Sequence, residues 1–294
     1  MSVSGPPRFM LAPIYGLRPL ESKDVYVATD EQEIAKLDTS VPQTARIWNY
    51  WLGGKDNFEV DRQVGEEILK YQPAIADNAR HCRAYLVRVV RFLAGEAGIR
   101  QFLDIGTGLP TANNTHEVAQ SVAPESRIVY VDNDPMVLVH ARALLTSTPA
   151  GATDYIDADL RDTTTILRDA QKTLDFTQPV AVILSGILNF IVDDTAADAI
   201  VSRLIAAVPS GSYLVISHPT EEVNGPAVRE SMRQWNESGA APITARSRDG
   251  IAAFCDGLEI LSPGVVTCTA WRPDPEHPGI TDKVSEFAGV GRKP

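Results

Sequence analysis

The stretch Leu103-Asp104-Ile105-Gly106-Thr107-Gly108-Leu109-Pro110-Thr111 decides the fold. An apolar run from Phe102 to Ile105 enters a glycine turn, and helical patterning follows. Gly106 and Gly108 have no Cβ, so the backbone can approach a ligand closely there. In an open α/β sheet the ligand sits beyond the strand C-termini, where the strand order reverses. The same turn therefore predicts both the fold and the place of the site.

Working outward, Ile128–Val131, Val180–Leu184 and Tyr213–Ile216 repeat the continuous apolar form. Such runs mark strands of a parallel sheet covered on both faces. Helical stripes lie between them: Leu138, Ala141, Leu144 and Leu145, then Ile200, Val201, Leu204, Ile205 and Val208, stopped by Pro209 and Gly211. Strand–helix alternation predicts an α/β fold with right-handed crossovers. Ahead of the sheet, Val60, Val64 and Ile68 form one stripe, and Tyr85, Leu86, Val89, Val90 and Leu93 another. The chain thus opens with a helical cap. After His218 the alternation lapses. Helices are expected around Ala227–Trp235 and Ile251–Phe254, and two late strands near Leu258–Leu261 and Phe287–Val290. The expected organisation is an aperiodic extension over 1–40, a cap or lid over 41–98, a ligand-binding core over 99–221, a helical insertion over 222–256 and C-terminal strands over 257–294.

The 294 residues carry 27 Lys+Arg against 38 Asp+Glu, a net charge of −11. No basic face is available for counterion release, which argues against nucleic acid as partner. The longest apolar runs fall far short of the ~20 residues that cross a bilayer. Three isolated cysteines form no CxxC, which points to a reducing cytoplasm. The histidines fit no metal spacing, and no metal is expected.

The ligand can be read from charge. A dinucleotide loop reads GxGxxG, but Thr111 stands at its third glycine. Asp104, just before the loop, would oppose a pyrophosphate. It suits S-adenosylmethionine, which carries an ammonium and a sulfonium. Asp132, in Val131-Asp132-Asn133-Asp134-Pro135, ends the second strand and can accept both ribose hydroxyls. Asp134 stands before a proline that opens a helix, the position of a cap. Asp159 and Leu160, after the third strand, suit the adenine amine and ring face. Ser185 and Gly186 follow the fourth strand and face the turn, with Thr107 and Asn133 completing the cofactor set. Asn189 is a candidate to orient the acceptor. His218 follows the fifth strand and is the candidate base, since imidazole titrates near neutrality. In the segment Arg46–Phe58, a Gly-Gly hinge and aromatics suggest a lid, with Tyr50, Lys55, Asp56 and Asn57 toward the substrate.

The strings Leu52-Gly53-Gly54-Lys55-Asp56-Asn57-Phe58 and Gln101–Thr111, with His116-Glu117-Val118-Ala119 and Gly289–Pro294, resemble an actinobacterial S-adenosylmethionine-dependent methyltransferase family. This family was first catalogued as a domain of unknown function. The likeness covers about residues 41–294. It implies a class I Rossmann-like fold with a seven-stranded, mostly parallel sheet in the order 3-2-1-4-5-7-6, the last strand antiparallel. It also implies a cofactor site at Asp104, Gly106, Gly108, Asp132 and Asp159. The sequence departs from the family pattern at Asn49 and Asn189. The expected activity is in-line methyl transfer to a small-molecule acceptor. The rivals are a non-catalytic cofactor binder and a nicotinamide oxidoreductase.

Overall fold

The computed structural model describes residues 38–144, 146–273 and 284–294. Residues 1–37 of the N-terminal extension, Leu145 and His277 lie outside the described residues. Three helices precede the sheet: α1 (Thr44–Trp51), α2 (Glu59–Tyr71) and α3 (Ile75–Gly95). The alternating part runs β1 (Gln101–Ile105), α4 (Thr115–Val122), β2 (Arg127–Asp132), α5 (Pro135–Leu144), β3 (Ala152–Asp157), α6 (Thr163–Ala170), β4 (Ala181–Ser185), a short 3-10 turn (Leu188–Phe190), α7 (Asp194–Ala206) and β5 (Tyr213–Pro219). Then come α8 (Gly225–Glu237), α9 (Arg248–Ala253), β6 (Glu259–Ile260), β7 (Val266–Thr267) and β8 (Glu286–Arg292).

The strand order is β3-β2-β1-β4-β5-β8-β6, with β7 also paired to β8. Strands β1 to β5 are parallel, and β8 is antiparallel to β5. This is the order the family resemblance implies, with the outermost position divided between two dipeptide strands. The division falls where Pro263-Gly264 turns the chain, Gly264 adopting φ +91°. Each short piece then pairs separately with β8, at Ile260↔Gly291 and Val266↔Ala288.

Alternation along the strands feeds two core layers. Leu103, Val129, Val182 and Leu214 pack with Ile166, Ile200 and Leu204 from α6 and α7. Phe102, Ile128, Ile183 and Val215 pack with Tyr85, Val89 and Leu93 of α3 and Val118 of α4. The helix α3 is therefore a sheet-covering helix and not part of a separate cap. A third cluster joins Ile47 and Trp51 of α1 and Ile68 of α2 to Trp235 of α8. These helices form a roof beside the strand tips. Arg46 and Asp61 brace it from inside: Nε lies 3.3 Å from Oδ2, and both side chains are buried. The Asp61 carboxylate also accepts the backbone N–H of Gln43 at 2.9 Å and of Phe58 at 2.8 Å.

The boundary of β5 differs from the sequence reading in a way that bears on the site. β5 continues through His218 and Pro219, because β8 offers Phe287 and Glu286 as antiparallel partners there. His218 lies within a strand, not in a loop beyond it.

Candidate active site

A cleft of about 300 Å³ opens at the C-terminal tips of β1, β2, β3 and β4. That volume falls within the range of small-molecule sites. Asp104, Gly106, Thr107, Gly108, Asp132, Asn133, Asp159, Leu160, Ser185 and Gly186 all line it. The glycine turn leaves β1 at Gly106 with φ +75°, and a Cβ there would meet Ile187 at 2.5 Å. No other residue type fits that position without moving Ile187.

Asp132 ties the two neighbouring strand tips together. Its Oδ2 accepts the Gly108 N–H at 2.9 Å and its Oδ1 the Asp134 N–H at 3.0 Å. Burial pushes this carboxyl up to about 6, against the lowering effect of those N–H groups. Each oxygen keeps a second lone pair for a ligand hydroxyl. Asp134 accepts the Met136 N–H at 2.8 Å, so it caps α5. Its Oδ2 is buried and has no partner. Asp159 sits at the mouth, with Arg161 reaching its two oxygens at 3.2 and 2.9 Å.

Asp104 is buried on β1, where its Oδ2 accepts the Thr115 hydroxyl at 2.6 Å. Burial raises its pKa, while Thr115 and the Arg83 charge work against that rise. Arg83 comes from α3 and also lines the cleft. It donates to Asn114 Oδ1 at 3.1 Å, yet its Nε is buried without a partner. The sequence reading missed Arg83: it lies among several arginines on α3, and periodicity alone does not say which one turns inward.

His218 stands elsewhere. It is wholly buried, accepts a hydrogen bond at Nε2 from Arg246 at 2.7 Å, and contacts the Pro219 carbonyl at 2.9 Å through Nδ1. An arginine has only donors, so Nε2 is the acceptor and Nδ1 carries the proton. Burial pulls the imidazole down to about 4, and Arg246 adds to this. It lines neither cavity, and both nitrogens are occupied. The geometry gives it a structural role and removes it as the base.

The expected lid contacts also differ. Asn49 Oδ1 accepts the Asp56 N–H at 3.0 Å and the Asn57 amide at 2.9 Å, folding the Lys55-Asp56-Asn57 triplet into its own turn. Tyr50 reaches Glu66 at 3.3 Å. Tyr50, Lys55, Asp56 and Asn57 line neither cavity; Trp48 and Asn49 line the cleft in their place. Asn189 lines a smaller adjoining cavity under the roof. That cavity also exposes a residue the sequence reading passed over, Glu286. Burial pushes its carboxyl up to about 8, partly offset by a hydrogen bond from Ser217. Among the described residues, no group of three or more His, Cys, Asp or Glu side chains is placed to hold a metal. No described helix is long and apolar enough to cross a membrane.

A Rossmann-like sheet whose glycine turn faces acids at three strand tips defines a nucleotide- or nucleoside-binding class of α/β protein. The chain matches the S-adenosyl methyltransferase family over residues 30–294 and belongs to it. It is similar at 44% identity and TM-score 0.84 to a DUF574 family protein from Streptomyces avermitilis MA-4680, covering 87% of this chain and 99% of that one. It is similar at 42% identity and TM-score 0.79 to a proposed methyltransferase from Thermobifida fusca YX, covering 87% and 96%. A likeness in fold alone, at 17% identity and TM-score 0.50, extends to an O-methyltransferase family protein from Burkholderia thailandensis, covering 74% and 58%. No curated protein matches the sequence. The protein is an S-adenosylmethionine-dependent methyltransferase, and S-adenosylmethionine is its cofactor. The nicotinamide and non-catalytic readings are set aside.

Proposed function

We propose that the cleft holds the cofactor's ribose at Asp132, its adenine at Asp159 and Leu160, and its amino-acid end at Asp104 and Arg83. The last pair carries the argument. A buried carboxylate and a half-buried guanidinium whose Nε is buried and unpartnered stand on adjacent elements. An α-ammonium and an α-carboxylate satisfy both, and an unpaired buried charge is costly. S-adenosylmethionine supplies a methyl group already activated on sulfur. The chain's part is then to position the acceptor in line, and to keep water out. The roof of α1, α2 and α8 performs the exclusion. The acceptor is a small molecule that enters through the adjoining cavity beside Asn189 and Glu286.

Isothermal titration with S-adenosylhomocysteine and with 5′-methylthioadenosine, which lacks the amino-acid end, tests this arrangement. The intact product should bind at least tenfold more tightly. Arg83→Ala and Asp104→Asn should each weaken S-adenosylhomocysteine and leave methylthioadenosine within about twofold. Equal binding of the two ligands to the native protein contradicts the assignment.

A further inference from the structure

The cavity next to the cleft has a chemistry of its own. Trp48, Gly186, Phe190 and Glu286 line both spaces, so the two connect at the tip of β4. The smaller one measures about 70 Å³. That is roughly half the ~150 Å³ that encloses a benzene ring in an engineered core, so it takes the reacting end of a slender molecule. Its lining contains no Lys, Arg or His. A carboxylate or phosphate acceptor would find no counter-charge there. Trp48, Trp51 and Trp235 line it instead, and indole faces tolerate positive charge.

Gln72 and Ser231, which bond each other, Ser285, which donates to the Val223 carbonyl, and Asn78 line this space, and two further acceptors meet it at the end nearest the cleft. Asn189 is buried, and its Oδ1 has no partner. Glu286 is buried with Ser217 against its carboxyl, and Ser217 in turn contacts the Ser185 hydroxyl at 2.9 Å. Once the Glu286 carboxyl is ionised, a hydroxyl, with one hydrogen, would leave one of these acceptors unmet, which is costly in a buried site. A neutral primary amine has two, and giving one to each leaves its lone pair free.

We propose, building on the cofactor arrangement above, that the acceptor is a primary amine on a small apolar body, held through its hydrogens by Glu286 and Asn189, with Glu286 taking the proton the nitrogen sheds. The nitrogen–carbon bond forms as the carbon–sulfur bond breaks, and the sulfur keeps that electron pair. One N–H proton ends on Glu286, which is the carboxylate that can receive it once pH exceeds about 8. Glu286 acts electrostatically on the thiol of Cys82 on α3, which lies 4.0 Å from that of Cys268 after β7. Their contact and burial hold the Cys82 thiol protonated. His218 and Arg246 lie on the opposite face of the strand, since His218 pairs with Phe287 and side chains alternate.

The test uses protein saturated with S-adenosylhomocysteine at pH 9, where the Glu286 carboxyl is ionised, titrated calorimetrically with n-butylamine, n-butanol and n-butyrate. These probes share a four-carbon chain and differ in the reacting group. The amine should bind at least tenfold more tightly than the alcohol, and butyrate more weakly than either. In Glu286→Gln the preference for amine over alcohol should fall at least fivefold, with S-adenosylhomocysteine affinity within twofold of native. Equal binding of the three probes, no binding of any, tightest binding by butyrate, or an unchanged preference in the variant overturns the inference. The three-probe comparison needs only native protein, so it decides even if the variant does not fold. Failure of S-adenosylhomocysteine itself to bind removes the cofactor arrangement and this inference together; its binding without an amine preference removes only the latter.

Discussion

Replacing Glu286 with glutamine should change how stability depends on pH, and by a large amount. The carboxyl titrates at about 8 in the fold against 4.5 for an ordinary glutamate. Between those values the native protein keeps a proton that the unfolded chain has released, so stability falls as pH rises through that window. The contribution is complete below pH 4.5 and is lost above pH 8. Each tenfold difference in proton affinity is ~1.4 kcal/mol, so the loss is on the order of 4 to 5 kcal/mol. That is a large share of the 5–15 kcal/mol by which native proteins are typically stable. Glutamine keeps the shape and has no proton to lose. Urea unfolding of native protein and Glu286→Gln at pH 5, 6, 7, 8 and 9 measures the effect. The difference in unfolding free energy should move steadily in favour of the variant as pH rises. A difference that stays constant from pH 5 to pH 9 would show that water or a cation reaches Glu286, and would refute its burial as the source of the shift.

Other perturbations separate ligand contacts from structural ones. Asp132→Ala should weaken S-adenosylhomocysteine binding at least tenfold by titration, whereas Asp134→Ala should mainly cost ~1 kcal/mol of stability as a lost helix cap; the reverse pattern would exchange the two roles. His218 titrates at about 4 in the fold against 6.5 free, so the native state binds fewer protons in that window and stability drops as pH falls through it. His218→Gln should remove roughly 3 kcal/mol of that acid-side loss and leave cofactor affinity within twofold; a large affinity loss would restore His218 to the active site. Gly54→Ala places a Cβ 2.3 Å from Asn49 Nδ2 and displaces the side chain that holds Asp56 and Asn57. Chemical denaturation should register a loss of ~2 kcal/mol for the two hydrogen bonds, and an unaltered midpoint would contradict their role.

The core of the fold was legible because its strands are buried on both faces. Ile128–Val131 and Val180–Leu184 have no polar side to confuse with a helix stripe. The β1 turn was legible because Gly106 has no substitute where Ile187 approaches. The capping role of Asp134 was legible because Pro135 marks the start of α5. What escaped depends on contacts distant in sequence. His218 reads as a loop residue until β8, far along the chain, extends β5 past it. Asp56 and Asn57 read as ligand contacts because nothing local reveals that Asn49 takes them. Arg83 comes within electrostatic reach of Asp104 only when α3 lies across the sheet. Glu286 carried a usable signal: it is an acid leading directly into the apolar run Phe287–Val290, and the strand reading began one residue too late to include it.

A crystal structure with S-adenosylhomocysteine puts the account to its most direct test. The ribose hydroxyls should lie within hydrogen-bond distance of the Asp132 carboxylate, the amino-acid end should meet both Asp104 and Arg83, and the sulfur should face Glu286. A product molecule seated elsewhere, or turned so that its amino-acid end points to Asp159, would contradict it.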